Sequence, residues 1–526
     1  MSLVALGCIA LYGRNVPLAE DWILVPPLTG HEPDLAGWLW EQNNEHRLPV
    51  QKLLYWGLLE LTGGDFRVGM VFNVVALSAL SWGMTRAAAK MRGSETRYAD
   101  AFFPVVLLHI GHWPNLVWSW QIQFVVSISL ACWLLLFLIS ERPPLSSRNG
   151  LLASVCIILL PLTGASGLAF TLPLAGALGF EGISGYRDRS AGRASAALMM
   201  VASSVLSLVL AGLYFVNYKQ PEWAAALSHP AVPTIRTAGK FLAFGLGPAA
   251  SRSWRSATLL VVGLLLSTTI LLLLGIRRSH SFERRRAMYL VLFLAGMAAL
   301  TGGLAWGRAA NPFEEVLPIR YVVLAVPPLC AAYFTWVLYG SGAAARLVQG
   351  LLLAILLLLL PLNIEAGFAW RDWYRAGMNA FQRDLLAGTP RRELARRHQD
   401  FLLHWDLAQL EANMAMLEQA RIGLFRHLEQ TESSGRRLRP EKLKPVAFEH
   451  HSGVLWQSER EGQTGGSRHV PWRVSSNTMA MKLATSETHR SPFKHDVRRR
   501  IPANGEGPDA SGLRGLLRPW TTCWTR

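Results

Sequence analysis

Long apolar runs without charge alternate with short polar connections through most of the chain. "LLVVGLLLSTTILLLLGI" and "LLLAILLLLLPLNI" hold no charged residue. About 20 apolar residues cross a bilayer as a helix, because only a helix pairs its own backbone groups in lipid. Spans are predicted at 1–12, 68–85, 99–112, 119–140, 151–163, 167–181, 195–216, 257–276, 287–306, 321–340 and 346–366. "PLTGASG" interrupts 151–181 and predicts a tight helical hairpin or two half-spans. The first run is short. Either that helix is short or the true start lies upstream, and no basic segment precedes it as a cleaved secretory signal would need.

Two amphipathic pieces follow the first run. "DLAGWLWEQ" from Asp34 and "LPVQKLLYWGLLEL" at 48–61 predict helices lying in the membrane interface, anchored by Trp38, Trp40 and Trp56. Residues 367–428 keep helical periodicity without a span, which predicts two or three helices on the external face. From 429 to 526 the chain turns to Gly, Ser, Pro and Arg and is expected to be disordered. The fold class expected is all-α: a polytopic membrane protein of about 10–11 transmembrane helices, with a small external helical region and a basic tail.

Composition agrees. Of 526 residues 51% are hydrophobic and the mean hydropathy is +0.24, too apolar for a soluble chain of this length. The net charge of +17 does not point to nucleic acid. The tail from 431 holds 17 Lys/Arg against 9 Asp/Glu, and most of the remaining excess sits in short loops. Those loops are 86–98 with Arg86, Lys90, Arg92 and Arg97, 182–194 with Arg187, Arg189 and Arg193, and "RRSHSFERRR" at 277–286. All three fall on one side of the predicted spans, which assigns that side to the cytoplasm. The opposite side receives 13–67, with eight acids and four Lys/Arg. It also receives the net-basic loop 217–256, whose length lowers its weight in the rule. Four of the five cysteines lie in apolar runs and no CxxC occurs, so neither a disulfide framework nor a metal site is expected.

Four groups of polar residues could carry chemistry. Glu20 and Asp21 follow the first span and offer either an outward general base or an ordinary helix cap. "NNEHRLP" places an acid, an imidazole and a guanidinium in succession at Glu45, His46 and Arg47, as a site or as a polar turn. It has no second histidine at ligand spacing, so no metal is expected there. "HIGHWPNLVWSWQIQF" carries His112 and Gln121. An interfacial belt explains its tryptophans, but not glutamine at the start of a span. Arg308, Arg320 and Tyr321 bracket an external loop. Forked cations at the membrane surface suit a phosphate, and equally suit lipid headgroups or the neighbouring Glu314 and Glu315.

In their order along the chain, "LAEDW", "NNEHRLP", "NLVWSWQIQF", "GASGL" and the "GR…RY" pair resemble the bacterial GT-C class of integral membrane glycosyltransferases, over roughly residues 1–428. The resemblance implies a sugar transferred from a polyprenyl-phosphate donor, with inversion, on the non-cytoplasmic face of the inner membrane in cell-envelope glycan synthesis. It implies Asp21 as the base, with Glu20 the other possibility. Arg308 and Arg320 would hold the departing phosphate. Glu45, His46 and Arg47 would line the acceptor or phosphate side, with His112, Gln121 and Tyr321 near the substrate. No cofactor is implied, and the partners are a lipid-linked donor and membrane lipids. The chain departs from the pattern at its short first span and at "GHWPNLVW", which offers His112 and no second acid. Two other functions stay open: a non-catalytic or inactive assembly protein, and a transporter or flippase of a lipid-linked solute.

Overall fold

The structure is a computed structural model, and it describes residues 1–93, 95–141, 145–187, 194–220, 230–309 and 317–427. The tail expected to be disordered, and Glu314 and Glu315, lie outside the described residues. Among the described residues eight helices are long and apolar enough to cross a bilayer: Arg67–Arg92, Ser119–Ser140, Ala165–Arg187, Ala194–Tyr214, Pro248–Arg278, Ser281–Arg308, Ile319–Tyr339 and Gly342–Leu386. Ser2–Tyr12 and Ser147–Thr163 are shorter apolar helices. The chain is a polytopic helical membrane protein.

The segment 99–112, expected as a span, is not one helix. It divides into a 3-10 turn Tyr98–Ala101, the helix Phe102–Leu108, a 3-10 turn Ile110–His112 and the helix Trp113–Val117. His109 is extended, and Pro114 tolerates only the first turn of a helix because it lacks an N–H and its ring blocks the preceding turn. The "PLTGASG" break is a hairpin. Ser147–Leu159 runs into a 3-10 turn Leu160–Thr163, and Ala165–Arg187 returns. Gly164 makes the corner at φ +82°, and a Cβ there would stand 2.7 Å from Leu48 Cδ2. The corner therefore needs glycine for its backbone and for its contact with the first polar loop.

That loop is ordered by short elements. Asp34 caps the helix Leu35–Trp40 by accepting from Gly37 N at 2.9 Å. Strands Gln42–Asn43 and His46–Arg47 form an antiparallel hairpin with Asn44 at φ +51°. The helix Pro49–Leu61 follows. Trp38, expected as an interfacial anchor, is instead buried, with Lys52 Nζ stacked over its indole and bonded to its carbonyl at 2.6 Å.

The last span does not end near 366. Gly342–Leu386 is one helix of 45 residues, ~68 Å at 1.5 Å per residue. That is more than twice the ~30 Å hydrocarbon core. Its outer part, with the helices Arg391–Leu402 and Leu407–Gln419, buries Tyr374, Phe381, Leu394, Leu410 and Met414 in a second apolar core shared with Trp22, Tyr55, Leu59 and Phe66 of the first loop.

Side-chain contacts sort the helix ends into two sets. At the basic end Lys90 lies 3.9 Å from Glu141, Arg285 lies 3.6 Å from Glu181, and Tyr339 donates to the Glu283 carbonyl. At the other end Arg47 reaches Tyr214, Arg308 reaches Glu45, and Trp118 reaches Leu18. The basic end is pinned by a buried group. Arg92 donates to both oxygens of Asp100 at 2.9 and 2.5 Å, and Arg97 N and Tyr333 Oη complete the carboxylate's shell at 2.8 and 2.7 Å. Arg92→Met should destabilise the fold by ~3–5 kcal/mol, because it leaves a buried carboxylate without its cation. Thermal unfolding in detergent would read this as a lowered midpoint, and an unchanged midpoint would show that the pair does not hold this end.

Candidate functional site

Ala19–Leu24 is a 3-10 helix, so successive side chains point ~120° apart. Glu20 and Asp21 therefore enter different surroundings. Asp21 turns inward. It is 2% exposed, its Oδ2 accepts from Leu18 N at 3.1 Å, and the Tyr55 hydroxyl lies beside it. Burial pushes its carboxyl well above the usual range, and the Leu18 N–H and the Tyr55 hydroxyl pull only part of the way back. Asp21 thus caps its own turn within the second apolar core.

Glu20 faces charge instead. Burial raises its carboxyl, Arg320 and then a backbone hydrogen bond oppose the rise, and the repulsion of Glu45 adds weakly to it. Its Oε2 is buried with no hydrogen-bond partner. Arg320 comes from the short turn Ile319–Tyr321 that opens a span, and its guanidinium lies 5.3 Å from the Tyr321 ring. Tyr321 is buried edge-on against Phe124.

The tip of the β-hairpin brings the next groups. Glu45 Oε1 accepts from Arg308 Nη2 at 2.5 Å and lies 3.7 Å from His46 Nε2. Burial raises Glu45, but His46, Arg308 and Arg320 together reverse it, and the carboxyl ends below its usual range. Burial lowers His46, Glu45 opposes this, and Arg308 and Arg320 add to it, so the imidazole ends below its usual range. His46 Nδ1 is buried without a partner. Glu20, Glu45, His46, Arg308 and Arg320 are thus one electrostatic group assembled from three distant parts of the chain.

The other expected site residues lie elsewhere. Side chains alternate along a strand, so Arg47 leaves the hairpin opposite to His46. Arg47 is spent on backbone. Nε donates to Tyr214 O at 3.0 Å, Nη2 to Val216 O and Asn217 O at 3.0 and 3.2 Å, and Nη1 to Trp40 O at 2.7 Å. It closes the carbonyl end of the helix Ala194–Tyr214, where a cation suits the helix dipole. His112 is buried edge-on against His109 at 4.2 Å. Gln121 is fully buried with neither amide atom paired, on the 3-10 turn Ser119–Gln121 that packs against Ala19–Leu24. Among the described residues no cluster of three His, Cys, Asp or Glu could hold a metal ion.

Sequence reasoning missed two supports. Tyr214 and Tyr218 both donate to the Glu45 carbonyl, at 3.4 and 3.3 Å, and so fix the hairpin tip. The tyrosines of "YFVNY" at a span end were their only signal. Gln51 Nε2 donates to Thr163 O at 3.0 Å and ties the first loop to the hairpin corner.

No family model matches the chain, and no curated protein matches it. A crystal structure of ArnT from Cupriavidus metallidurans bound to undecaprenyl phosphate is similar over 82% of this chain and 76% of that one, at 15% identity and a TM-score of 0.40.

Arg47→Ala strips partners from four carbonyls and should cost ~3 kcal/mol or more, as several bonds to a charged donor are lost at once. Arg47→Lys should recover only part of that, since one ammonium cannot span the same fork. Equal unfolding midpoints for wild type and Arg47→Ala in detergent would remove Arg47 from its structural role.

Proposed function

We propose that the protein is a membrane glycosyltransferase that takes its sugar from a polyprenyl-phosphate donor. The observation that carries this is Glu20 beside Arg320: Asp21 also has a raised carboxyl and a buried, unpartnered oxygen, but no cation acts on it. A base whose pKa lies nearer neutrality is better matched to a hydroxyl than an ordinary surface carboxylate. The neighbouring charges suit the second requirement, which is to stabilise a phosphate as it leaves at the lipid–water boundary.

In this reading the acceptor hydroxyl gives its proton to Glu20, and its oxygen attacks the anomeric carbon from the face opposite the phosphate. The carbon–oxygen bond to the phosphate breaks, the phosphate takes the electron pair, and the anomeric centre inverts. Arg320 faces the charge developing on the phosphate, with Arg308 held in place by Glu45. His46, with its Nδ1 buried and unpartnered, offers hydrogen bonding to the sugar or the phosphate. Gln121 backs Glu20's turn from within the core, with Tyr321 under Arg320. Asp21, the other candidate base, serves as the cap that sets Glu20's direction. In this reading the basic loops face the cytoplasm of a bacterial inner membrane, and the site would then open on the outer face. The lipid-linked donor would enter sideways from the bilayer.

The test is release of polyprenyl phosphate by purified protein in vesicles supplied with polyprenyl-phosphate-linked sugars. Glu20→Gln should lose ~10²–10⁴ in rate. Asp21→Asn should keep, per folded molecule, a rate near wild type. Full activity in Glu20→Gln would end the assignment. The acid limb of kcat/KM should lie above the usual glutamate range. Activity needs the ionised carboxylate, and burial raises its pKa, so activity falls as pH drops through that raised value. A profile flat through the weakly acidic range would contradict Glu20 as the base.

A further inference from the structure

At the basic end, far from Glu20, a cavity of about 680 Å³ lies between the helices Arg67–Arg92 and Ser119–Ser140. That volume is within the range of ligand sites. Its wall is aromatic. Trp133 and Phe137 stack with ring centroids 5.9 Å apart, and Trp82 stands 67% exposed beside them. The Trp133 indole lies directly on Gly83, where any Cβ would collide with it, so the floor is shaped by a missing side chain. The rim is polar. Arg86 and Lys90 stand one turn apart on the same helix, with Glu95 and Asn149 across from them.

The exposed residues of Arg67–Arg92 form a single line: Arg67, Val71, Val75, Ala79, Trp82, Arg86 and Lys90, three or four residues apart. The apolar part of that line faces lipid along the span, and it ends at two cations next to a cavity. Snorkelling alone would explain cations at a span end, but not a recessed aromatic hollow beneath them. The charged side chains in the cavity lining are Arg86, Lys90 and Glu95, a net of one positive charge. Arg86 has no carboxylate within ion-pair reach among the described residues, whereas Lys90 is paired with Glu141, which brings the local sum to zero. Glu141 Oε2 accepts from Ser146 Oγ at 3.0 Å, and its other oxygen is 3.9 Å from Lys90.

We propose that this cavity is a binding site for a singly anionic phospholipid of the leaflet at the basic end, with its phosphate on Arg86 and Lys90, its neutral hydroxyl-bearing headgroup toward Glu95 and Asn149, and one acyl chain along Trp82 and Trp133. The phosphate matches two adjacent cations, and the lipid-facing stripe supplies the path for the chain. Glu95 and Asn149 supply acceptors for headgroup hydroxyls.

Native mass spectrometry of the delipidated full-length protein, offered equal amounts of phosphatidylglycerol, phosphatidylethanolamine and phosphatidylcholine, reads occupancy directly. One phosphatidylglycerol should be held about tenfold more tightly than either of the others. Arg86→Ala combined with Lys90→Ala should erase that preference, whereas Arg86→Lys and the opposite-end control Arg252→Ala should keep it. Both rim cations are exposed, so the double variant should unfold at the wild-type midpoint. If it does not, Arg86→Gln alone replaces it. A preference that survives in these variants, or is missing from wild type, overturns the site. Equal retention of phosphatidylethanolamine overturns the anionic headgroup, and competition by soluble glycerol phosphate overturns the lipid.

Discussion

Wherever a helix stops within or beside a bilayer, its last carbonyls and first N–H groups need partners that lipid cannot supply. This chain breaks its helices repeatedly at one end, and buried polar side chains meet the need. Arg47 closes the end of Ala194–Tyr214, and Lys52 bonds the carbonyls of Trp38 and Glu41. Asn73 takes Trp118 O, Asn363 takes Leu246 O and Ala249 N, and Trp118 Nε1 takes Leu18 O. The polar loop, the broken segment 98–117 and the hairpin corner at Gly164 are held together by such bonds. The charged group at Glu20 and Glu45 sits on that framework.

The framework also explains why two adjacent carboxylates have separate fates. In a 3-10 turn neighbouring residues cannot share a direction, so one of the pair must face the core if the other faces the arginines. Asp21 accepts the backbone N–H that begins the turn, and this fixes the rotation that delivers Glu20. The hairpin repeats the logic with strand geometry: Arg47 is committed to the helix end, and His46 is left on the other face, 3.7 Å from Glu45 of the turn. In both places a buried anchor and a charged partner are sequence neighbours.

Much of the architecture was legible because hydropathy reports what lipid demands. The long uncharged runs became spans, and the basic loops marked one end. Two features were hidden. Apolarity does not encode a break, so 99–112 read as a span although His109 and Pro114 divide it. Nor does it mark where a helix leaves the membrane, so Gly342–Leu386 read as a span followed by a separate helix. Within the site, Glu45, Arg308 and Arg320 were visible as charges at span ends. Arg47 was ambiguous because the fork that suits a phosphate also suits a row of carbonyls. The division of labour between Glu20 and Asp21 depends on the rotation of a single turn, which residue types alone do not specify.

The helix Gly342–Leu386 runs from the bilayer, past Pro361, to the helices packed at its far end. Asn363 grips it at the boundary through Leu246 and Ala249. Spans accommodate a thicker or thinner membrane by tilting. In this chain the helix that crosses the bilayer also buries Tyr374 and Phe381 in the core that holds Trp22, the neighbour of Asp21, so one element is answerable to both the lipid and the charged group.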